Sequence, residues 1–142
     1  MEKKKDIQRE VLVVDASNAQ LGRLASFAAK QALLGKRVVV VNASLCLISG
    51  GKRMIISEYK EARGRGGNSL NGPNFPKDSQ RILKRTIRGM LRFRHGRGKD
   101  AFDRIRIHEN VPKEFESSKM TKFEKKDMLA RTMTLGDLAG EI

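Results

Sequence analysis

The first clear signal along the chain is an unbroken apolar run, Val11-Leu12-Val13-Val14, closed by Asp15. A β-branched run of this length predicts a strand buried on both faces. The period then lengthens. In D-A-S-N-A-Q-L-G-R-L-A-S-F-A-A-K-Q-A-L-L-G-K, Leu21, Leu24, Phe27, Ala28 and Leu34 leave little polar surface, with Arg23 and Lys30 on the outer edge. This predicts a helix of roughly 17 residues, capped by Ser17 or Asn18 and ended by Gly35 with Lys36. Arg37 opens a second apolar strand, Val38–Val41, and a short extended piece, Leu45–Ile48, runs into Ser49-Gly50-Gly51-Lys52-Arg53. Strand, helix, strand is the βαβ pattern, which implies a parallel pair joined by a right-handed crossover.

Residues 54–63 fit a further helix. The following G-R-G-G-N-S-L-N-G-P-N-F-P-K-D-S has no period, and a loop of that length inside a compact domain is usually functional or disordered. Arg63, Arg65 and Lys77 flank it or lie in it, so it reads as an arm that orders on a partner. Asp78 or Ser79 then caps a helix over Gln80–Leu91. Residues 98–103 supply a further turn or two. Ile105 and Ile107 alternate with Arg104, Arg106 and His108, as in a half-buried strand near a sheet edge. Beyond Pro112 a tail of mixed charge closes with Thr134-Leu135-Gly136-Asp137-Leu138, a short helix.

The Gln80–Leu91 helix changes the picture from fold to function. At ~100° per residue, Leu83, Ile87, Met90 and Leu91 share one arc, and Arg81, Lys84, Arg85, Arg88 and Arg92 share another. One stripe docks on the sheet and the other shows a row of cations. Arg94 and Arg97 extend the row, with His95 among them, and Gly96 and Gly98 are expected to let a sugar-phosphate chain approach the backbone. Arginine suits phosphate because its planar fork donates two parallel hydrogen bonds. Residues 81–106 hold 10 Lys+Arg and only Asp100 and Asp103 against them, which argues against a face balanced by internal ion pairs.

The whole-chain charge agrees. The 142 residues carry a net charge of +14, which calls for a polyanionic partner, most simply nucleic acid. Residues 1–106 hold 24 Lys+Arg against 9 Asp+Glu, whereas residues 107–142 hold 6 against 7, so the partner surface belongs to the first three-quarters. With no Trp and one Tyr, platforms for stacking single-stranded bases are scarce, and the expected mode is shape and backbone recognition of folded RNA. Gly50-Gly51-Lys52 resembles the end of a phosphate-binding loop, but Cys46 and Arg53 stand where that motif needs Gly and Ser/Thr, so it offers a phosphate contact or a tight turn. Gly96–Ala101 matches G-x-G-x-x-A without the buried strand a dinucleotide site needs before it.

Catalytic chemistry is not expected. His95 and His108 are the only histidines, with no carboxylate at metal-ligand spacing. Cys46, flanked by Leu45 and Leu47, reads as a small buried hydrophobe. No disulfide can form within the chain, the start M-E-K-K-K-D-I lacks the apolar region of a signal peptide, and no apolar run reaches the ~20 residues of a membrane span.

Four motifs in order, V-V-D-A-S-N-A-Q-L-G-R-L-A-S, V-V-V-V-N-A-S…I-S-G-G-K-R, R-I-L-K-R-T-I-R-G-M-L and R-G-K-D-A-F-D-R-I-R-I, resemble the universal large-subunit ribosomal protein family thirteen. The likeness covers about residues 10–112, and G-P-N-F-P gives it an archaeal cast. Two positions depart from the family pattern: Arg92 stands where a proline follows R-G-M-L, and Asn110-Val111-Pro112 lacks the glycine usual before that proline. The resemblance implies an α/β fold, a three-layer sandwich with a small, mostly parallel four-stranded sheet, basic loops and a C-terminal tail. It implies a single RNA-binding domain over residues 1–112 and an extension over 113–142. It further implies a structural constituent of the large ribosomal subunit, cytoplasmic, with large-subunit rRNA and neighbouring ribosomal proteins as partners, and with no cofactor, metal, membrane or small-molecule substrate. Lys52, Arg53, Arg85, Arg88, Arg92 and the Arg94–Arg97 turn would face the rRNA. A free RNA-binding or remodelling factor with the same surface is the alternative; a nucleotide enzyme and a membrane-surface protein come after it.

Overall fold

The computed structural model describes residues 10–66, 72–123 and 131–142. The valine runs form β1 (Val11–Asp15) and β2 (Arg37–Val41), which lie parallel with Val13 opposite Val39. Between them runs α1 (Leu21–Leu33), which buries Leu21, Leu24, Ala25, Ala28, Ala29 and Ala32. Four alanines on that stripe keep it narrow, so neighbouring helices can approach closely. The end of α1 follows the residue chemistry expected of it. Gly35 takes φ +97°, its amide donates to the Ala32 carbonyl, and the Lys36 amide donates to Gln31, which closes the last turn in a Schellman motif.

The start of α1 does not follow expectation. Neither Ser17 nor Asn18 caps it; the helix begins after Gln20, with no side-chain cap. Ser17 instead donates both its amide (3.0 Å) and its hydroxyl (2.7 Å) to Asp15 Oδ1, which also accepts from Asn42 Nδ2 at 2.9 Å. Burial alone would raise the Asp15 carboxyl, but these donors and nearby Lys122 hold it below its ordinary 3.8. Asn18 adopts φ +57° and its amide donates to Leu45, while Leu47 donates to Ala19 at 2.8 Å. Tertiary pairing with the 45–47 segment therefore draws residues 16–20 out of the helix and overrides the local capping preference.

The four-stranded sheet runs in the order Ile105–Ile107 (β4), β2, β1 and Met120–Lys122 (β5), and every pair in it is parallel. β4 (Ile105–Ile107) lies at one edge, as the alternation of its residues implied. The opposite edge is β5 (Met120–Lys122), beyond the segment carrying the family motifs. The extended piece after Asn42 starts instead as a single 3-10 turn, Ala43–Leu45, and continues as β3 (Leu47–Ser49). β3 leaves the main sheet and pairs antiparallel with β6 (Thr132–Thr134). The chain ends in α5 (Leu135–Glu141), capped by Thr134 Oγ1, which accepts from the Asp137 amide at 3.1 Å. Leu135 and Leu138 of α5 are fully buried in the main core.

Strand alternation divides the core between two faces. Val14, Val38 and Val40 meet Leu24, Leu83 and Ile87 of the helical layer. Val13, Val39 and Val41 face the other way and are covered by Val111, Phe115 and Met120. Met120 is itself part of β5, so the third layer is the 111–119 segment, with one 3-10 turn at Lys113–Phe115, and holds no α-helix. Fully buried valines and leucines contribute roughly 1.5–3 kcal/mol each, so this sheet is the rigid base for whatever the surface carries. Cys46 is buried and its thiol is pushed up to about 12 by desolvation, so it is a protonated, inert part of that base. Among the described residues no helix is long and apolar enough to cross a membrane.

Candidate nucleic-acid interface

The cationic helix is α3 (Ser79–Met90), packed against α1 and β4. Asp78 stands at its N-cap position, but its carboxylate makes no cap bond and lies 3.3 Å from Arg81 Nε instead. Ser79 is fully buried and donates to Glu109 Oε1 at 3.0 Å. The docking stripe is Ile82, Leu83, Ile87 and Leu91. Met90, expected in it, is 46% exposed, because the chain leaves the helix at Leu91 and Leu91 takes the buried position.

The other stripe is the cation row. Lys84, Arg85 and Arg88 are half-buried, and Arg81 and Arg92 are exposed. Lys84 Nζ lies 5.0 Å from the centre of the Phe102 ring, Arg85 lies 3.9 Å over Phe75, and Arg88 lies 5.1 Å over Phe93. Arg85 also donates through Nη1 to the Asn74 carbonyl at 2.6 Å, and Phe75 meets Tyr59 edge to face. Burial and the adjacent Glu58 push the Tyr59 hydroxyl up, and Arg85 offsets part of that rise. Arg81, Lys84, Arg85 and Arg88 line one open groove with Pro73, Asn74, Pro76 and Phe102, about 510 Å³ in volume.

The stretch after α3 differs from expectation in form. Residues 91–95 make a tight turn, and α4 (Gly96–Asp103) begins at once. Arg92, Arg94, His95 and Arg97 are all exposed on this turn and the first turn of α4, together with Lys99. A Cβ on Gly98 would overlap the Arg92 carbonyl, so Gly98 serves the chain's own turn rather than an approaching ligand. Gly96 meets nothing within 4 Å and keeps the expected freedom. Because a turn, not a strand, precedes Gly96, the G-x-G-x-x-A match lacks its supporting geometry.

Lys52 and Arg53 lie elsewhere, in the first turn of α2 (Lys52–Gly64), after Gly51 at the N-cap position. They line a separate open depression with Arg131 and Glu141, and Lys52 Nζ pairs with Glu141 at 3.4 Å. Arg63 and Arg65 are exposed at the far end of α2, where Arg65 pairs with Glu61 at 2.8 Å. The proposed arm begins there, and its residues 67–71 lie outside the described residues. The structure therefore gathers Arg81, Lys84, Arg85 and Arg88 in one groove, continues with Arg92, Arg94, His95 and Arg97, and sets Lys52, Arg53, Arg63 and Arg65 apart on α2.

Three cations near these sites escaped the sequence reading. Lys99 lies two residues beyond Arg97, in the first turn of α4. Lys60 lines a shallow surface with Arg53, a spacing of seven that helical periodicity reveals. Arg131 joins Lys52 only because the Gly50 amide donates to the Arg131 carbonyl at 2.8 Å beside the β3–β6 pair, and no local signal foretells that.

The electrostatics are unusual for a chain serving only its own stability. α2, α3 and α4 have no acid in the first turn, and place there Lys52 and Arg53, Arg81, and Arg97 with Lys99. Cations at a helix N-terminus oppose the macrodipole by some 0.3–1 kcal/mol each. Among the described residues none of Lys84, Arg85, Arg88, Arg92, Arg94 and Arg97 pairs with a carboxylate. Arg81, Arg97 and Lys99 stand against their helix dipoles, Arg88 in the last turn of α3 stands with its own, and a row left without counter-charges among the described residues is suited to an external polyanion.

Known proteins resemble this sequence over most of its length. Residues 9–114 match the family described as Ribosomal protein L13. The large ribosomal subunit protein uL13 of Archaeoglobus fulgidus is 44% identical over 120 residues, covering 84% of this chain and 76% of that protein. The protein of the same name from Methanosarcina barkeri is 44% identical over 117 residues, with 82% and 83% covered. That of Methanococcoides burtonii is 38% identical over 134 residues, with 92% and 96% covered.

Proposed function

We propose, because this chain belongs to the ribosomal protein L13 family, that it is a structural constituent of the large ribosomal subunit. It holds large-subunit rRNA by neutralising packed phosphates and has no catalytic step. Its further partners are neighbouring ribosomal proteins, and its place is the cytoplasmic ribosome. The observation that carries the reading is the α3 row and the turn after it: six cations, Lys84, Arg85, Arg88, Arg92, Arg94 and Arg97, without a carboxylate partner among the described residues.

In this reading Arg81, Lys84, Arg85, Arg88, Arg92, Arg94, His95 and Arg97 face the rRNA as one surface. Lys52, Arg53, Arg63 and Arg65 on α2 reach it at the margin. Residues 1–112 carry the RNA-binding surface, and residues 113–142 act as an extension. The test is sedimentation of large subunits after a high-salt wash. A stoichiometric component stays with the particle. A chain that leaves in the wash is a transient RNA-binding factor, and the structural assignment fails.

A further inference from the structure

We infer that Phe75, Phe93 and Phe102 are positioning residues for RNA binding, each holding one cation of α3 in a fixed orientation before any ligand arrives. The inference rests on the RNA-binding reading above. The chain has six phenylalanines. Phe27 and Phe123 pack on each other, and Phe115 covers the far face of the sheet. The other three lie under Arg85, Arg88 and Lys84. They reach α3 from three different segments: the loop before it, the turn after it, and α4. Cation–π pairs of consequence occur roughly once per 70–80 residues, so about two would be expected anywhere in a chain of this length. Here three fall within residues 84–88 of one helix.

The geometry suits a phosphate ligand for a specific reason. A ring engages the flat face of a guanidinium and leaves its N–H edge outward, and the edge is what forks onto a phosphate. A carboxylate partner would occupy that edge. A ring therefore removes side-chain freedom without neutralising the charge. Ordering a long side chain on binding weakens association by roughly two- to tenfold per chain, and prior ordering removes that loss. Arg85 is fixed most firmly, with Phe75 on its face and the Asn74 carbonyl on Nη1. Its remaining N–H groups have no hydrogen-bond partner among the described residues.

The experiment replaces Phe75, Phe93 and Phe102 together with Leu in the full chain, which keeps apolar bulk and removes the π face. Deproteinised large-subunit rRNA is the probe, titrated at several salt concentrations. Affinity should fall on the order of thirtyfold. The slope of log K against log salt should stay unchanged, because the number of phosphate contacts is the same. Without RNA, the Nε–H signals of Arg85 and Arg88 should change from ordered to mobile by NMR relaxation. The corresponding Phe→Tyr variant should restore both. Unchanged affinity, a slope reduced by one or more, or a Tyr variant as weak as the Leu variant would each overturn the inference. Should the triple variant not fold, F93L alone serves, because Phe93 is 38% exposed. A wild-type chain that fails to bind, or binds with no salt slope, sinks the RNA-binding reading instead, and the NMR measurement still decides whether the rings order the cations.

Discussion

The molecule carries two cationic regions that hold their charge differently. On α2, Lys52 is 3.4 Å from Glu141 and Arg65 is 2.8 Å from Glu61. On α3, three successive cations rest on aromatic rings, and among the described residues only Arg81 at its N-terminal end pairs with a carboxylate. A carboxylate fixes a cation by cancelling its field; a ring fixes it and leaves the field in place. Counted by basic residues alone the two helices look alike, with Lys52, Arg53, Lys60 and Arg63 on α2 and Arg81, Lys84, Arg85 and Arg88 on α3. By the charge they can offer a polyanion, α3 and the turn after it dominate.

The strongest challenge to that ranking is charge reversal on α3. Arg81, Arg88 and Arg92 changed together to Glu should weaken binding to large-subunit rRNA by about a hundredfold or more, through lost contacts and new repulsion. The melting transition should move little, because Arg81 and Arg92 are exposed and Arg88 gives up only its contact with Phe93. A loss no larger than that from the same change on α2 would erase the distinction.

Next in size is Gly98→Ala. Inside a helix this exchange normally stabilises. Here the new methyl would overlap the Arg92 carbonyl, so the turn joining the two halves of the cation row must shift. Urea denaturation should show a loss of roughly 1–3 kcal/mol. Weaker RNA binding should accompany it, as Arg92, Arg94 and Arg97 move relative to Lys84 and Arg88. A stabilised variant would mean that the turn is loose and the row is not one surface.

How much of this was legible before the structure depended on how local the cause was. The β1–α1–β2 unit was legible because its signals are contained in its own segment: valine runs and a glycine that ends the helix. The cation stripe of α3 was legible because periodicity alone separates it from Leu83 and Ile87. What escaped was set by distant partners. Ser17 and Asn18 look like caps, yet their backbone is committed to Asp15 and Leu45. Leu45–Ile48 reads as one extended piece, yet residues 43–45 form a 3-10 turn and Leu47–Ser49 pairs with residues 132–134. The rings under Lys84, Arg85 and Arg88 come from positions 102, 75 and 93, and only the folded chain brings them beneath α3.

Reversing the α2 charges sharpens the contrast from its weaker side. Lys52→Glu with Arg53→Glu should lower rRNA affinity only about three- to fivefold, because exposed charges at a margin contribute little and one of these is already paired. The salt slope should fall by less than it does for the α3 variant. A loss as large as the hundredfold expected on α3 would make α2 an equal partner in the interface.

The smallest expected effect has the opposite sign. Glu141 is the last residue of α5, where its negative charge meets the negative end of that helix's dipole. Its carboxylate therefore gains little from its own helix and pairs instead with Lys52. Both side chains are largely exposed, at 62% for Lys52 and 47% for Glu141, so breaking the pair should cost almost no stability. Changing Glu141 to Gln would release the Lys52 ammonium and remove one negative charge from the depression it shares with Arg53 and Arg131. RNA affinity should then rise, by about twofold at low salt, and the gain should fade as salt screens the added field. Titrating both proteins at two salt concentrations reads this directly. A fall in affinity would mean that the ion pair itself holds Lys52 where the RNA needs it. Carboxylates would then be able to position cations as rings do, and the contrast between the two regions would lose its physical basis.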